Sequence, residues 1–304
     1  MKRILILANF DVGLYKFRKE LIQELLDQGN EVYISLPDGE LVRSLEKMGC
    51  KFVNTAVDRR GINPKTDAKL MFFYKKLIKK LHPDLVITYT IKPNIYGGLM
   101  CRMLRVPYAV NITGLGTAFQ SESMVKKLVT FLYKIALKKA KVVFFENIGN
   151  KQTFLDLHIL KEKQICVLNG AGVNLAEYPF CEYPSENETR FLFIGRVMKE
   201  KGVDELFEAA ERIKKQHSDV FFDVVGPMED DYKSRIEELV KKGVVVYHGY
   251  QKDVKPFIEN CHCFVLPSYH EGMANTLLEA GAMGRPLITS NIHGCLEAVE
   301  EGRN

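Results

Sequence analysis

Cys263-Phe264-Val265-Leu266-Pro267-Ser268-Tyr269-His270-Glu271-Gly272-Met273-Ala274-Asn275-Thr276-Leu277-Leu278-Glu279-Ala280-Gly281-Ala282-Met283-Gly284-Arg285-Pro286 sets the grammar of the chain. The apolar run 263–266 stops at Pro267-Ser268 and reads as a buried strand. After Gly272, the apolar positions Met273, Leu277, Leu278, Ala280 and Met283 recur at helical spacing until Gly284 and Pro286 end the helix. Glu271 and Glu279 are eight residues apart, about two helical turns, which places both on roughly one face. Glu271 precedes the helix start, where open N–H groups and the dipole favour an anion. On spacing alone, a carboxylate there is first of all an ordinary helix-opening residue.

Outward from this strand–turn–helix unit the same alternation repeats. In the first half, strands are expected at 3–9, 31–36, 52–57, 85–88 and 107–112, with helices at 14–28, 41–48, 69–81, 96–104 and 124–141. In the second half, strands at 191–194, 220–225, 244–247, 263–266 and 287–290 alternate with helices at 203–216, 232–242 and 254–259. Alternating βα units of this length predict α/β architecture with two doubly wound parallel sheets. Ligands then bind beyond the carboxyl ends of the strands. Tyr178-Pro179, Tyr183-Pro184 and the polar run 185–189 read as a linker, so the domains are expected at 1–178 and 179–304.

At 304 residues each domain can bury a core of its own. The seven cysteines form no C-x-x-C pair and read as reduced core thiols, not as a disulfide framework or zinc site. No N-terminal run is long enough for a signal or membrane segment, so a cytoplasmic location is expected. The +5 net charge is uneven: residues 1–178 carry 28 Lys+Arg against 16 Asp+Glu, and residues 179–304 carry 15 against 22. A basic half beside an acidic half suggests different partners. Neither G-x-G-x-x-G after the first strand nor G-x-x-x-x-G-K-[ST] occurs, which removes the main support for a dinucleotide dehydrogenase or a P-loop NTPase. Nucleic acid is not expected as a partner, because no aromatic platform or recognised fold accompanies the basic charge.

The opening stretch resembles the E-x7-E signature of the retaining group 1 (family 4) glycosyltransferases, P-S-x-x-E-G-x-x-x-x-x-x-E-A-x-A-x-G-x-P. Glu271, Gly272, Glu279, Ala280, Ala282, Gly284 and Pro286 fall on its fixed positions. Gly195-Arg196-Val197-Met198-Lys199-Glu200-Lys201-Gly202 matches the same family's G-R-x-x-x-x-K-G motif. By themselves Arg196 and Lys201 are ordinary loop charges, although a guanidinium fork and an ammonium both suit phosphate oxygens. The resemblance implies that these two hold the diphosphate of a nucleotide sugar, most simply a UDP-sugar. It also places Glu271 against the donor sugar and Glu279 on the ribose hydroxyls. Glu271, Arg196 and Lys201 are then the catalytic candidates, while Lys199 and His270 are bystanders. A helix opening at Gly272, Met273, Ala274, Asn275 and Thr276 would add N–H groups beside the diphosphate, so that no metal or other cofactor is required. Gly195 belongs to the donor loop, and Tyr250 is the candidate to stack on the nucleobase. Gly226-Pro227 lacks one glycine of the family's G-x-G-P turn, which puts a donor contact there in question.

In the first half, Thr90-Ile91-Lys92-Pro93-Asn94-Ile95-Tyr96-Gly97 and Thr113-Gly114-Leu115-Gly116 resemble the T-x-K-P-N-x-Y-G and T-G-L-G segments of capsular and O-antigen transferases. Lys92, Asn94, Gly114 and Gly116, with Gly13 in the loop 9–13, are the acceptor-side candidates. The resemblance implies the GT-B arrangement, two such domains across a cleft, and retaining hexosyl or N-acetylhexosaminyl transfer to a polyprenyl-linked or polysaccharide acceptor. Residues 124–141 form a basic amphipathic segment with Lys127, Lys134, Lys138 and Lys141 on one stripe and Val125, Leu128, Leu132, Ile135 and Ala136 opposite. Such a segment is either a surface helix or a dock for an anionic inner leaflet. Group 1 relatives continue past Asn304, so the chain is expected to be a fragment or a shortened member. The rival readings are a sugar-nucleotide epimerase and an inactive transferase-like binding subunit.

Overall fold

The computed structural model describes residues 1–57, 63–116, 119, 124–184, 188–228 and 232–304. The chain divides into two compact units, Met1–Ala171 and Gly172–Asn304. The division falls seven residues before the proline-marked position expected from the sequence. Tyr178 and Cys181 lie against the core of the second unit, and the Cys181 N–H donates to the Met283 carbonyl at 3.3 Å.

In the first unit β1 (Arg3–Leu7), α1 (Asp11–Asp27), β2 (Glu31–Leu36), α2 (Val42–Met48), β3 (Lys51–Asn54), α3 (Pro64–Leu81) and β4 (Leu85–Tyr89) follow in order. A π-helical turn, Pro93–Gly97, leads into α4 (Gly98–Leu104). Then come β5 (Tyr108–Ile112), α5 (Met124–Ala136), β6 (Val142–Phe145), α6 (Ile148–Asp156) and β7 (Ile165–Val167). The seven strands pair in parallel in the order β3-β2-β1-β4-β5-β6-β7, so the strand order reverses between β1 and β4. Along β1 the side chains alternate between two cores: Leu5 and Leu7 join one buried cluster, Ile4 and Ile6 the other. This two-sided burial is the physical signature of a parallel sheet covered by helices on both faces.

The second unit carries β8 (Thr189–Ile194), α7 (Val203–Lys214), β9 (Val220–Val225), α8 (Lys233–Lys241), β10 (Val246–Gly249), α9 (Lys255–Glu259), β11 (Cys263–Leu266), α10 (Asn275–Ala282) and β12 (Leu287–Thr289). Its parallel order is β10-β9-β8-β11-β12, with the reversal between β8 and β11. Arg285, only 2% exposed, stitches this unit together. Its guanidinium donates to the carbonyls of Ile258 and Glu259 at the end of α9 and to that of Glu182. A buried cation at a helix C-terminus is favoured by the carbonyl dipoles there.

Three local expectations are corrected. The strands β6 and β7 and the helix α6 were not among the expected elements. Helix α1 opens at Asp11, not at 14, so Gly13 lies in its first turn and not in a loop. The start is fixed by the Asp11 carboxylate, which accepts from the Val12 and Leu41 N–H groups at 2.9 and 2.7 Å. Helix α10 opens at Asn275, so Glu271 stands four residues ahead of it and does not share a helix face with Glu279. All seven cysteines are free thiols, and burial pushes Cys261 up to about 12 and Cys295 up to about 11.

Candidate active site

At the carboxyl edge of the second sheet, the loops after β8, β9, β10 and β11 are tied to one another by backbone. Gly226 has φ +141, and a Cβ on it would fall 1.8 Å from the Gly195 carbonyl oxygen. Gly202 has φ +68, and a Cβ there would fall 1.9 Å from the Pro267 carbonyl oxygen. Only glycine supplies both the left-handed backbone and the close approach. The Gly226 N–H donates to Gly249 O at 2.8 Å, Val197 N–H to Pro227 O at 2.9 Å, and Tyr269 N–H to Glu200 O at 2.9 Å. The Tyr247 hydroxyl adds a bond to Gly226 O. So the turn at Gly226-Pro227 is well built despite its missing second glycine.

This lattice sets Lys201, the last residue of a 3-10 turn, against Glu271. Lys201 Nζ lies 2.5 Å from Glu271 Oε1, and the two side chains are 17% and 11% exposed. Lys201 and Glu271, expected on phosphate and on sugar, thus form a direct ion pair with each other. Such a pair holds both side chains in one place. Arg196, on the same loop, is solvent-exposed, as is Lys199.

Glu279, near the middle of α10, accepts a hydrogen bond from the Tyr178 hydroxyl. Burial, reinforced by the Glu279 charge, pushes that hydroxyl's pKa up, so it remains a donor. The sequence marked Tyr178 only as linker. No local signal links it to a residue 101 positions later, because the contact exists only once the chain has folded back.

Around the helix opening the expected side chains separate. Met273 and Ala274 are 6% and 3% exposed and belong to the core. The Ala274 N–H donates to Gly294 O at 2.8 Å and the Asn275 N–H to Met273 O at 3.0 Å, so neither is an open anion donor as expected. Gly272 and Thr276 are partly exposed. Asn275 Oδ1 and Ser268 Oγ are buried without a hydrogen-bond partner among the described residues. Tyr250 follows β10 and is 56% exposed. Gly195 lies beneath the Gly226 approach just described.

The acceptor-side candidates of the first unit are held by partners of their own or lie in loops. Lys92 Nζ pairs with Asp67 Oδ1 at 2.7 Å, and the Tyr96 hydroxyl donates to Asp67 Oδ2 at 2.9 Å. Asn94 is 1% exposed. Its Oδ1 accepts from Thr88 Oγ1 at 2.7 Å and its Nδ2 donates to Asn111 O at 2.8 Å. A buried amide with both ends occupied is a structural tie between β4 and β5, not an exposed recognition group. Gly13 lies under the Phe10 ring. Gly114 and Gly116 occupy the loop after β5, where Gly116 has φ +69. Among the described residues, no group of three or more His, Cys, Asp or Glu side chains is arranged to hold a metal ion.

Comparison with known proteins accounts for both units. Residues 177–304 match the family model described as glycosyl transferases group 1, and residues 3–147 match that of glycosyl transferase 4-like domains. The chain is 31% identical over 314 residues to the N,N'-diacetylbacillosaminyl-diphospho-undecaprenol alpha-1,3-N-acetylgalactosaminyltransferase of Campylobacter jejuni, covering 98% of this chain and 82% of that protein. It is 29% identical over 256 residues to the UDP-Gal:alpha-D-GlcNAc-diphosphoundecaprenol alpha-1,3-galactosyltransferase of Escherichia coli, covering 77% and 65%. Among solved structures, a glycosyltransferase from Rickettsia africae superposes with a TM-score of 0.79 at 21% identity, covering 99% of this chain and 82% of that one. HepE of Anabaena, solved with UDP and glucose, superposes with a TM-score of 0.77 at 17% identity, covering 99% and 84%. At such identities these likenesses speak for the fold, the GT-B class of paired α/β domains. With its two parallel-sheet units, both family matches and a 31% identical relative spanned over most of its length, this chain belongs to the group 1 glycosyltransferases.

Proposed function

We propose that the protein transfers a hexose or N-acetylhexosamine, with retention, from a UDP-sugar to a diphospho-polyprenol-linked or polysaccharide acceptor in surface polysaccharide assembly. The observation that carries this reading is the Lys201–Glu271 ion pair at the carboxyl edge of the second sheet, on the loop that also bears Arg196. Both relatives named above act, by their names, on diphospho-undecaprenol-linked sugars, and one uses UDP-Gal.

The chemistry asks for two things at that edge. The leaving diphosphate gains negative charge as the glycosidic bond breaks, and Arg196 and Lys201 answer it. The anomeric carbon gains positive charge, and Glu271 answers that. In this reading Lys201 exchanges its carboxylate partner for the diphosphate when donor binds, which releases Glu271 towards the sugar. Glu279, held by the Tyr178 hydroxyl, accepts from the ribose hydroxyls, and Tyr250 stacks on the base. Incubation of the protein with UDP-sugars and a polyprenol-diphosphate-linked N-acetylhexosamine should release UDP, while Arg196→Ala and Glu279→Ala should weaken UDP binding in calorimetry. Unchanged UDP affinity in both variants would sink the site assignment.

A lipid-linked acceptor also explains α5. Its outward stripe carries Met124, Leu128 and Phe131, at 87%, 50% and 59% exposure, together with the exposed Lys127 and Lys134, and the exposed Lys138 follows in the next turn. Leu128 was expected on the core side, and its exposure places apolar and cationic groups on one face. That mixture suits the headgroup boundary of an anionic leaflet, where apolar side chains enter and each cation adds about 1 kcal/mol. No helix among the described residues is long and apolar enough to cross a membrane. Sedimentation with anionic liposomes should be lost in a Leu128→Glu, Phe131→Glu variant, and equal sedimentation of the two proteins would reject this docking.

A further inference from the structure

The amino edge of the first sheet holds a cavity of about 480 Å³. Its walls come from the last turn of α4 with Arg102, the connection into β5 with Arg105, and the segment between α5 and β6 with Lys139 and Lys141. Tyr108 opens β5 and Lys141 directly precedes β6, so the cavity lies at the amino ends of these strands. Substrates of doubly wound sheets bind beyond the carboxyl ends. Neither donor nor acceptor of the proposed transfer therefore accounts for it.

Every charged residue in this wall is a cation: Arg102, Arg105, Lys139 and Lys141 line the cavity, and no Asp or Glu among the described residues does. The floor is neutral. Burial pushes the Cys101 thiol up to about 12 and raises the Tyr108 hydroxyl, which donates to the Ala136 carbonyl. Elsewhere in the first unit cations meet carboxylates: Arg3 and Lys51 pair with Glu31, Arg18 with Glu146 and Lys92 with Asp67. Arg105, Lys139 and Lys141 form no ion pair among the described residues, and Arg102 Nη1 donates to the Ile135 carbonyl at 2.8 Å. Arg105 caps α4 at φ +58, a left-handed position that glycine or asparagine usually fills, so an arginine is kept there at a backbone cost. The dipole of α4 favours cations at its C-terminus, which accounts for Arg102 and Arg105. It does not account for Lys141, which belongs to no helix. Like charges converging on a concave surface focus the field there and concentrate anions.

We infer that this cavity binds a phosphate group, carried by a soluble phosphomonoester or by a lipid headgroup, through Arg102, Arg105, Lys139 and Lys141. The guanidinium forks suit the planar spread of phosphate oxygens, and the two ammonium groups add mobile point charges. A lipid source is compatible with the position of the site, because the exposed Lys138, in the turn after α5, is the chain neighbour of Lys139. The site stands whether or not the chain performs the proposed transfer, since it shares no residue with it.

The test uses the isotope-labelled full chain. Inorganic phosphate should shift the backbone amides of Val106 and Lys139 saturably in NMR spectra, while sodium chloride of equal ionic strength leaves them in place. Sedimentation with phosphatidylcholine vesicles, with and without phosphatidic acid, supplies the lipid arm. Arg105→Glu, Lys141→Glu should weaken the response in whichever arm the parent shows one by about tenfold or more, as loss of a charged hydrogen bond implies. Lys2→Glu, Lys47→Glu makes the same change of charge at exposed positions elsewhere and should keep the parental response. A response to dissolved phosphate and not to the vesicles assigns a soluble ligand, and a response to phosphatidic acid vesicles assigns a headgroup. The site is overturned if sodium chloride reproduces the phosphate shifts, if neither probe binds, or if the two double variants respond alike. Should the charge reversal lower the melting temperature, Arg105→Gln, Lys141→Gln gives the same comparison.

Discussion

At the carboxyl edge of the second sheet the charged groups come from two short, contiguous motifs, whereas at the edge of the first they come from residues far apart in the chain. Lys201 and Glu271 each lie inside a recognisable run of residues, and the fold has only to bring two loops together. Arg18 and Glu146 lie 128 positions apart, on a helix and a strand end that carry no motif. The second edge is made by backbone: glycines at 202 and 226 let loop carbonyls approach where any Cβ would clash. The first is made by side chains reaching across the ends of strands. Backbone-built sites demand particular residues at fixed spacing, so they leave a pattern in the sequence. Sites built from long side chains leave almost none.

Three substitutions probe this contrast. The largest effect is expected from Lys201→Ala, which leaves Glu271 without its ion-pair partner and, in the proposed mechanism, removes a cation from the leaving diphosphate. Its kcat/KM should fall by about 10²–10³, the range for loss of one preorganised electrostatic group, as read by UDP release. A loss below threefold would mean that the second edge is not where charge develops.

Next comes Asn94→Leu in the first unit. Thr88 Oγ1 and the Asn111 carbonyl then lose a buried partner, so stability should drop by about 1–3 kcal/mol in a denaturant melt. The acceptor KM of the folded protein should stay within twofold of the parent. A raised KM at unchanged stability would return Asn94 to the recognition surface and weaken the distinction between the two edges.

The smallest effect belongs to Tyr178→Phe. Removing one hydroxyl from Glu279 should reduce stability by about 0.5–1.5 kcal/mol and raise the donor KM severalfold, with kcat little altered. A kcat change larger than the KM change would show that Glu279 acts on the transition state and not on ribose binding.

Much of the architecture was legible in residue order. Alternating apolar runs and helical periodicities pointed to two doubly wound sheets, because a parallel strand buried on both faces must be apolar throughout. The positions of Arg196, Lys201, Glu271 and Glu279 beyond strand ends followed from the same pattern. The strands β6 and β7 were not legible, and neither was the start of α1, which a carboxylate-to-backbone bond to a distant loop decides. Lys92 and Asn94 looked like surface residues of a recognition loop. The structure turns Lys92 onto Asp67 and buries Asn94 between β4 and β5, since polar residues at the end of a buried strand must find partners inside the protein.

By itself, then, the sequence determined the fold class, the family and the loops proposed for the donor chemistry, since these rest on local periodicity and on glycines with backbone constraints. Only the tertiary structure decided which side chains pair: Lys201 with Glu271, Tyr178 with Glu279, Arg18 with Glu146. Pairing depends on distances between loops and helices remote in sequence, and long flexible side chains reach many partners until packing leaves them one.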